Sequence, residues 1–302
     1  MPYFFLKIFY LGDRYHGSQR QPKLPTIEQH LIDALALKRY IPREDTLNYF
    51  FVDASGRTDK GVHALGSVFG FYSLRDEIYP IEINKVLPRD IFIWQFARIH
   101  EDDELEDFLG KKLVLNPESI RRISKRIKHP RHQAQERIYK YFYHDWDEKL
   151  NQKLIKEACE KLKGHHNYRN FSKPEEGRLT ERTIDSITFE KQGEMLVFEF
   201  QAQSFQWKQI RKMIGVIRSV AAREWPLEHI QRLFNPNETD LAMKIPIAPA
   251  ENLILWDVKY NAVNWENCDI SLKEMRTELK ARLIRLSSRK SMLNRIFKNV
   301  SD

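Results

Sequence analysis

Cysteine is nearly absent from this chain: only Cys159 and Cys268 occur in 302 residues. They stand far apart and outside any Cys-x-x-Cys spacing, so neither a zinc site nor a disulfide framework is indicated. His165 and His166 are adjacent and project to different sides of a strand or loop, not onto one metal. Glycine and proline, 11 and 13 residues, are too scarce for a linker-rich chain, and with 42% hydrophobic residues the sequence should fold. No apolar run reaches the length needed to cross a bilayer. The stretch Met1 to Gly12 is apolar but short, contains Lys7 and lacks a small-residue cleavage site. It reads as a first strand rather than a signal peptide, and the expected location is the cytoplasm.

Positive charge is in excess. Fifty Lys and Arg against 42 Asp and Glu give a net charge of +8 and a pI near 9.3. That balance points to a polyanionic partner, nucleic acid before membrane. The length suits one large domain or two ordinary ones.

Residues 3–11 read as an aromatic and branched strand. Thr26 is placed to cap a helix carrying Ile27, His30, Leu31, Ala34 and Leu35 at helical spacing. Strands near 47–53 and 67–72, a short helix near 81–86 and a strand over 90–99 complete a β-α-β-β-α-β order. Residues 101–136 form a connector, acidic first and then basic, with a helix suggested by Ile120, Ile123 and Ile127. The order then repeats: a strand over 137–145, a helix over 149–163, a hairpin of 183–191 with 194–203, a long helix over 205–223, a shorter one over 226–234, and a last strand within 245–260. The expected class is therefore α+β, built from two RRM-like (ferredoxin-like) halves, 1–100 and 137–262. Residues 263–302 form a basic tail in which Leu272, Met275, Leu279, Leu283 and Leu286 mark an amphipathic helix. Packing on the body or on a second subunit is its expected role.

Between two strands of the first half lies Ala54-Ser55-Gly56-Arg57-Thr58-Asp59-Lys60-Gly61-Val62-His63-Ala64. One carboxylate, Asp59, stands among Arg57, Lys60 and His63, and neighbouring cations favour the ionised acid. Polar loops between strands are most often only loops, but the full string closely resembles the signature of the TruA family of tRNA pseudouridine synthases. The resemblance implies that Asp59 is the catalytic residue, and that the two halves join their sheets into one mainly antiparallel sheet around a central cleft.

Further segments resemble the same family, among them Gly164 to Ser172, similar to Gly-x-His-Asp-Phe-x-x-Phe-x, and Arg182-Thr183-Ile184, similar to an Arg-Thr segment before a strand. Arg14 to Gln21 matches a Tyr-x-Gly-x-Gln-Arg-Gln segment, except that Ser18 stands where the family usually has Trp; Arg20 would face a phosphate. Arg131, Ala134, Arg137, Tyr139 and Tyr141 follow the family's spacing, which gives Tyr139 the target base to stack on and leaves Tyr141 to the core. Trp207 to Gly215 matches a helix whose arginine pairs with the aspartate, the role implied for Arg211. In that helix Trp207, Ile210, Ile214 and Ile217 are read as a buried stripe, and Gly215 as a point of close backbone approach. Ala248 to Leu255 resembles Ala-Pro-Ala-x-Gly-Leu-x-Leu with Asn252 in place of glycine, as if at positive φ. His166 is expected to hold a structural hydrogen bond, Tyr168 and Phe171 to pack, and Arg182 to touch RNA.

The activity implied is isomerisation of uridine to pseudouridine in the anticodon stem-loop of tRNA. It needs no cofactor and no metal, and a homodimer is expected. Arg57, Lys60, His63, Arg131 and Lys208 would bind the RNA. Two other readings stay open from the residues: a non-catalytic RNA-binding protein of paired RRM-like units, and a hydrolase using Asp59 with His63.

Overall fold

The computed structural model describes residues 2–43, 52–99, 129–145, 149–173 and 179–300. The first half runs β1 (Tyr3–Tyr10), α1 (Ile27–Leu37), β2 (Val52–Ala54), β3 (His63–Tyr72), α2 (Pro80–Asn84) and β4 (Ile91–Ile99). Every residue of β1 is buried because the strand lies between β3 and β4, both antiparallel to it, with side chains packed on each face. Thr26 accepts a hydrogen bond from the Gln29 amide at 3.3 Å and so starts α1 where the capping residue predicts. The expected strand at 47–53 is described only as β2, and the helix suggested near 120–127 lies outside the described residues.

The second half runs α3 (Pro130–Gln133), β5 (Ala134–His144), α4 (Gln152–Leu162), β6 (Gly164–Asn167), β7 (Glu181–Ile184), β8 (Ser186–Gln192), β9 (Met195–Ala202), α5 (Gln209–Ala221), α6 (His229–Leu233), α7 (Thr239–Met243) and β10 (Leu253–Tyr260). Several boundaries differ from the sequence expectation: β3 begins at His63 instead of 67, and β5 at Ala134 instead of 137. The strand foreseen at 183–191 is two strands broken at Asp185, and its first piece leaves the main sheet to pair with β6. The long helix begins at Gln209 instead of Phe205, because Lys208 is left-handed (φ 64°) and cannot continue a helix toward its N-terminus. The last strand, expected within 245–260, is Leu253–Tyr260; Pro246 and Pro249 precede it and a 3₁₀ turn, Ala250–Asn252, leads into it. Asn252 sits in that turn and is not among the residues at positive φ, so the glycine it replaces is not required there for conformation.

Both halves place their strands in the same order. β4-β1-β3 with β2 on β3 corresponds to β10-β5-β9-β8, and the two join where β10 runs parallel to β3 at Ile254↔His63 and Leu255↔Ala64. Every other pairing in the sheet is antiparallel. The result is the expected mixed α+β fold with one continuous sheet. α4 and α5 pack together over the second half. Gly215 on α5 is close to the Pro246 carbonyl: an added Cβ would sit 1.9 Å from that oxygen.

After β10 the chain returns to the first half. β11 (Glu266–Asn267) adds to the β4 edge, and α8 (Asp269–Val300) follows it. Ser271 accepts from the Asn84 amide at 2.8 Å, and Met275 closes a small cluster with Phe9 and Phe92 that Leu272 and Leu279 also touch. Beyond that point the helix stands off the body, with Leu283 and Leu286 exposed.

Candidate active site

The Asp59 loop is held chiefly by bonds from the first half. Ser55 is buried; its amide donates to the Val68 carbonyl at 2.7 Å, and its hydroxyl accepts from the Val68 amide at 3.2 Å. Thr58 is tied at three atoms. Its amide donates to Ser18 Oγ (2.8 Å), its carbonyl accepts from the Ser18 amide (3.1 Å), and its hydroxyl lies 2.8 Å from that of Tyr10. Gly17 makes this contact possible: it is left-handed at φ 95°, and a Cβ there would fall 2.8 Å from the Thr58 carbonyl oxygen. Ser18, the residue that departs from the resembling segment, is therefore buried against the loop. The Asp59 carbonyl accepts from the Val62 amide at 3.1 Å across a turn in which Gly61 takes φ 84°.

From the second half comes Arg211, on α5. Its Nη1 donates to Asp59 Oδ2 at 3.2 Å, and its Nε donates to the Ala248 carbonyl at 2.7 Å. The Ala248 amide in turn donates to the Arg211 carbonyl at 3.1 Å, so the guanidinium is fixed from both ends. Asp59 and Arg211 face a cleft of about 1010 Å³ at the junction of the halves.

Tyr139, Arg57, Lys60, Arg131, Lys208 and Arg182 also line this cleft. Tyr139 is mostly buried on β5, edge-on to Phe205 at 5.3 Å between ring centres. Burial pushes its phenol up to about 12, and the Asp59 charge acts in the same direction. Two expected RNA contacts are placed elsewhere. Arg20 is outside the cleft lining, and its amide donates to Glu28 Oε2 at 3.0 Å. His63 is also outside it: Nδ1 accepts from the Gly12 amide at 2.9 Å, and Nε2 lies 2.8 Å from the Glu251 carbonyl. An Nδ1 that accepts from an amide leaves Nε2 to donate toward the Glu251 carbonyl. The imidazole is thus a tie between the halves, with no ring nitrogen left for RNA or for hydrolysis beside Asp59.

The residue that sequence reasoning passed over is Arg137. It is buried, and it donates to the carbonyls of Ser55 (2.6 Å), Arg131 (2.9 Å) and Gln203. Burial lowers its pKa from the ordinary arginine value. One guanidinium therefore joins the Asp59 loop, the chain entering β5 and the end of β9. The only signal for it in the sequence was its place in the Arg131–Tyr141 spacing. Trp207 is the other difference: placed in a buried stripe by helical spacing, it is 42% exposed and lines the cleft. His166, by contrast, makes its expected structural bond, 2.9 Å from the Lys163 carbonyl, and stacks on Phe234.

Known proteins give a consistent match. Residues 158–261 fit the family described as tRNA pseudouridine synthase. A protein of Archaeoglobus fulgidus called tRNA pseudouridine synthase A is 32% identical over 282 residues, covering 93% of this chain and 92% of its own. One from Methanothrix thermoacetophila with the same name is 35% identical over 264 residues, 86% and 84% of the two chains. One from Methanobrevibacter smithii, also so named, is 32% identical over 313 residues, 98% and 97%.

Proposed function

This chain belongs to the tRNA pseudouridine synthase A (TruA) family, isomerases that convert uridine to pseudouridine in tRNA; from that premise we propose that it acts on the anticodon stem-loop and that Asp59 carries the reaction. The bond from the ribose C1′ to uracil N1 breaks, the base rotates, and C1′ bonds to C5. The C5 proton leaves and N1 gains one, so atoms and electrons balance without a redox partner or group donor. A base within a stem must first leave the stack. Tyr139 receives the displaced base; its raised pKa keeps the ring neutral through any working pH. Asp59 acts on the sugar as nucleophile or as base, and both routes require the anion that Arg211 faces. Arg57, Lys60, Arg131, Lys208 and Arg182 hold phosphates, so affinity falls as salt rises.

The observation that carries this reading is the 3.2 Å contact between Asp59 and Arg211, formed across the junction of two halves and open to a cleft. The test is Asp59→Ala, assayed by mapping pseudouridine in tRNA treated with the pure protein. Product should vanish while tRNA binding persists; retained turnover would remove Asp59 from the chemistry. The same mapping reports which uridines react. A homodimer of cytoplasmic enzyme completes the proposal, and a monomeric mass in solution would contradict its assembly. No helix among the described residues is long and apolar enough to cross a membrane.

A further inference from the structure

Trp207 has the surroundings of a ligand site, not those of a core residue. Its indole is 42% exposed, yet it lies in the wall of the cleft that holds Asp59. Two ammonium groups approach the ring, Lys173 Nζ at 4.5 Å and Lys208 Nζ at 5.6 Å from its centre. The ring is held by its backbone: the Trp207 carbonyl accepts from the Lys173 amide at 3.0 Å, and Lys208 beyond it takes the left-handed conformation at φ 64°. A non-glycine residue in that region costs free energy and is kept where surrounding structure enforces it. Here it ends the chain's approach to α5 with Trp207 on the cleft side, four residues before Arg211.

We infer that Trp207 is a stacking platform for a second nucleobase of the tRNA, a neighbour of the target uridine. The inference rests on the proposed function and adds a binding subsite to it. An exposed indole face favours any base, because stacking uses the π surface common to all four. Ammonium groups over an aromatic face are bound weakly at exposed sites. Lys173 and Lys208 would move from the ring onto the phosphates flanking the stacked base, so each cation keeps an electron-rich partner. Tyr139 is mostly buried and edge-on to Phe205, which suits one enclosed base. Trp207, more open, suits a base that is only displaced.

The experiment uses the full chain with an unmodified tRNA transcript and compares Trp207→Ala, Trp207→Phe, Lys173→Ala and Lys208→Ala. Trp207→Ala should weaken tRNA binding by about 5- to 100-fold, raise KM more than it lowers kcat, and leave the slope of log affinity against log salt unchanged. Trp207→Phe should recover most of the affinity. Each lysine variant should flatten the salt slope, as loss of a phosphate contact does. Tryptophan emission should fall when tRNA is added to the parent protein and fall much less in Trp207→Phe, a readout that also serves if Trp207→Ala fails to fold. Unchanged affinity in Trp207→Ala, or unchanged quenching in Trp207→Phe, overturns the platform. If the parent binds tRNA but makes no pseudouridine, the enzyme reading fails while affinity and quenching still decide this one.

Discussion

The two halves share a strand order and differ in what they bring to the cleft. The first half supplies one acid on a loop fastened on both sides of it: Ser55 to Val68, Thr58 to Tyr10 and Ser18, and Asp59 itself to Val62. The second half supplies Arg211, Tyr139 and the exposed Trp207, with Lys208 beside it. A carboxylate that attacks or deprotonates a sugar must be placed within a fraction of an ångström, because misplacement of reacting groups is costly. The repeated fold thus supplies the acid from one wall and, from the other, its guanidinium partner and two aromatic rings.

Three substitutions sharpen or break that contrast, once Asp59 itself has been tested. Arg211→Ala should lower kcat by about 10²- to 10³-fold, the usual loss for one fixed electrostatic partner. Near-normal turnover would mean that the second half only binds. Arg137→Met should cost about 1–3 kcal/mol of unfolding free energy, because the buried Ser55 carbonyl and the half-buried Arg131 and Gln203 carbonyls lose their donor. Urea denaturation measures this, and kcat should fall about tenfold as the Asp59 loop loosens, with the cost for losing one aligned loop being of that order. A stable Arg137→Met enzyme with full activity would show that the loop is held from the first half alone. Ser18→Ala should cost about 1 kcal/mol and lower kcat less than either arginine change. A loss larger than that of Arg137→Met would move the main support of the loop onto Ser18.

Much of this was legible in the sequence, and the gaps have physical reasons. The Asp59 loop, the Arg211 helix and the Tyr139 strand each sit in a short ordered string, and the element order of both halves follows from hydrophobic period and turn residues. Helical spacing placed Trp207 in the buried stripe because counting by 3.6 assumes that the helix has already begun; the left-handed Lys208 starts it after Trp207. His63 looked free to act because its hydrogen-bond partners, the Gly12 amide and the Glu251 carbonyl, are backbone groups far away in sequence. Arg137 was passed over for the same reason, since an arginine bound to three carbonyls has no charged partner that a sequence could reveal. The pairing of β6 with β7 joins short polar segments and gives no periodic signal.

The return of the chain to the first half after β10 carries a consequence for synthesis. Phe9 and Phe92 are made before the second half, but Met275, which covers them, is made only after it. The outer edge at β4 likewise waits for Glu266 and Asn267. A nascent first half should therefore remain open on one side until the second half has been made, and a transcript cut short before α8 should yield a product prone to aggregate at that uncovered face.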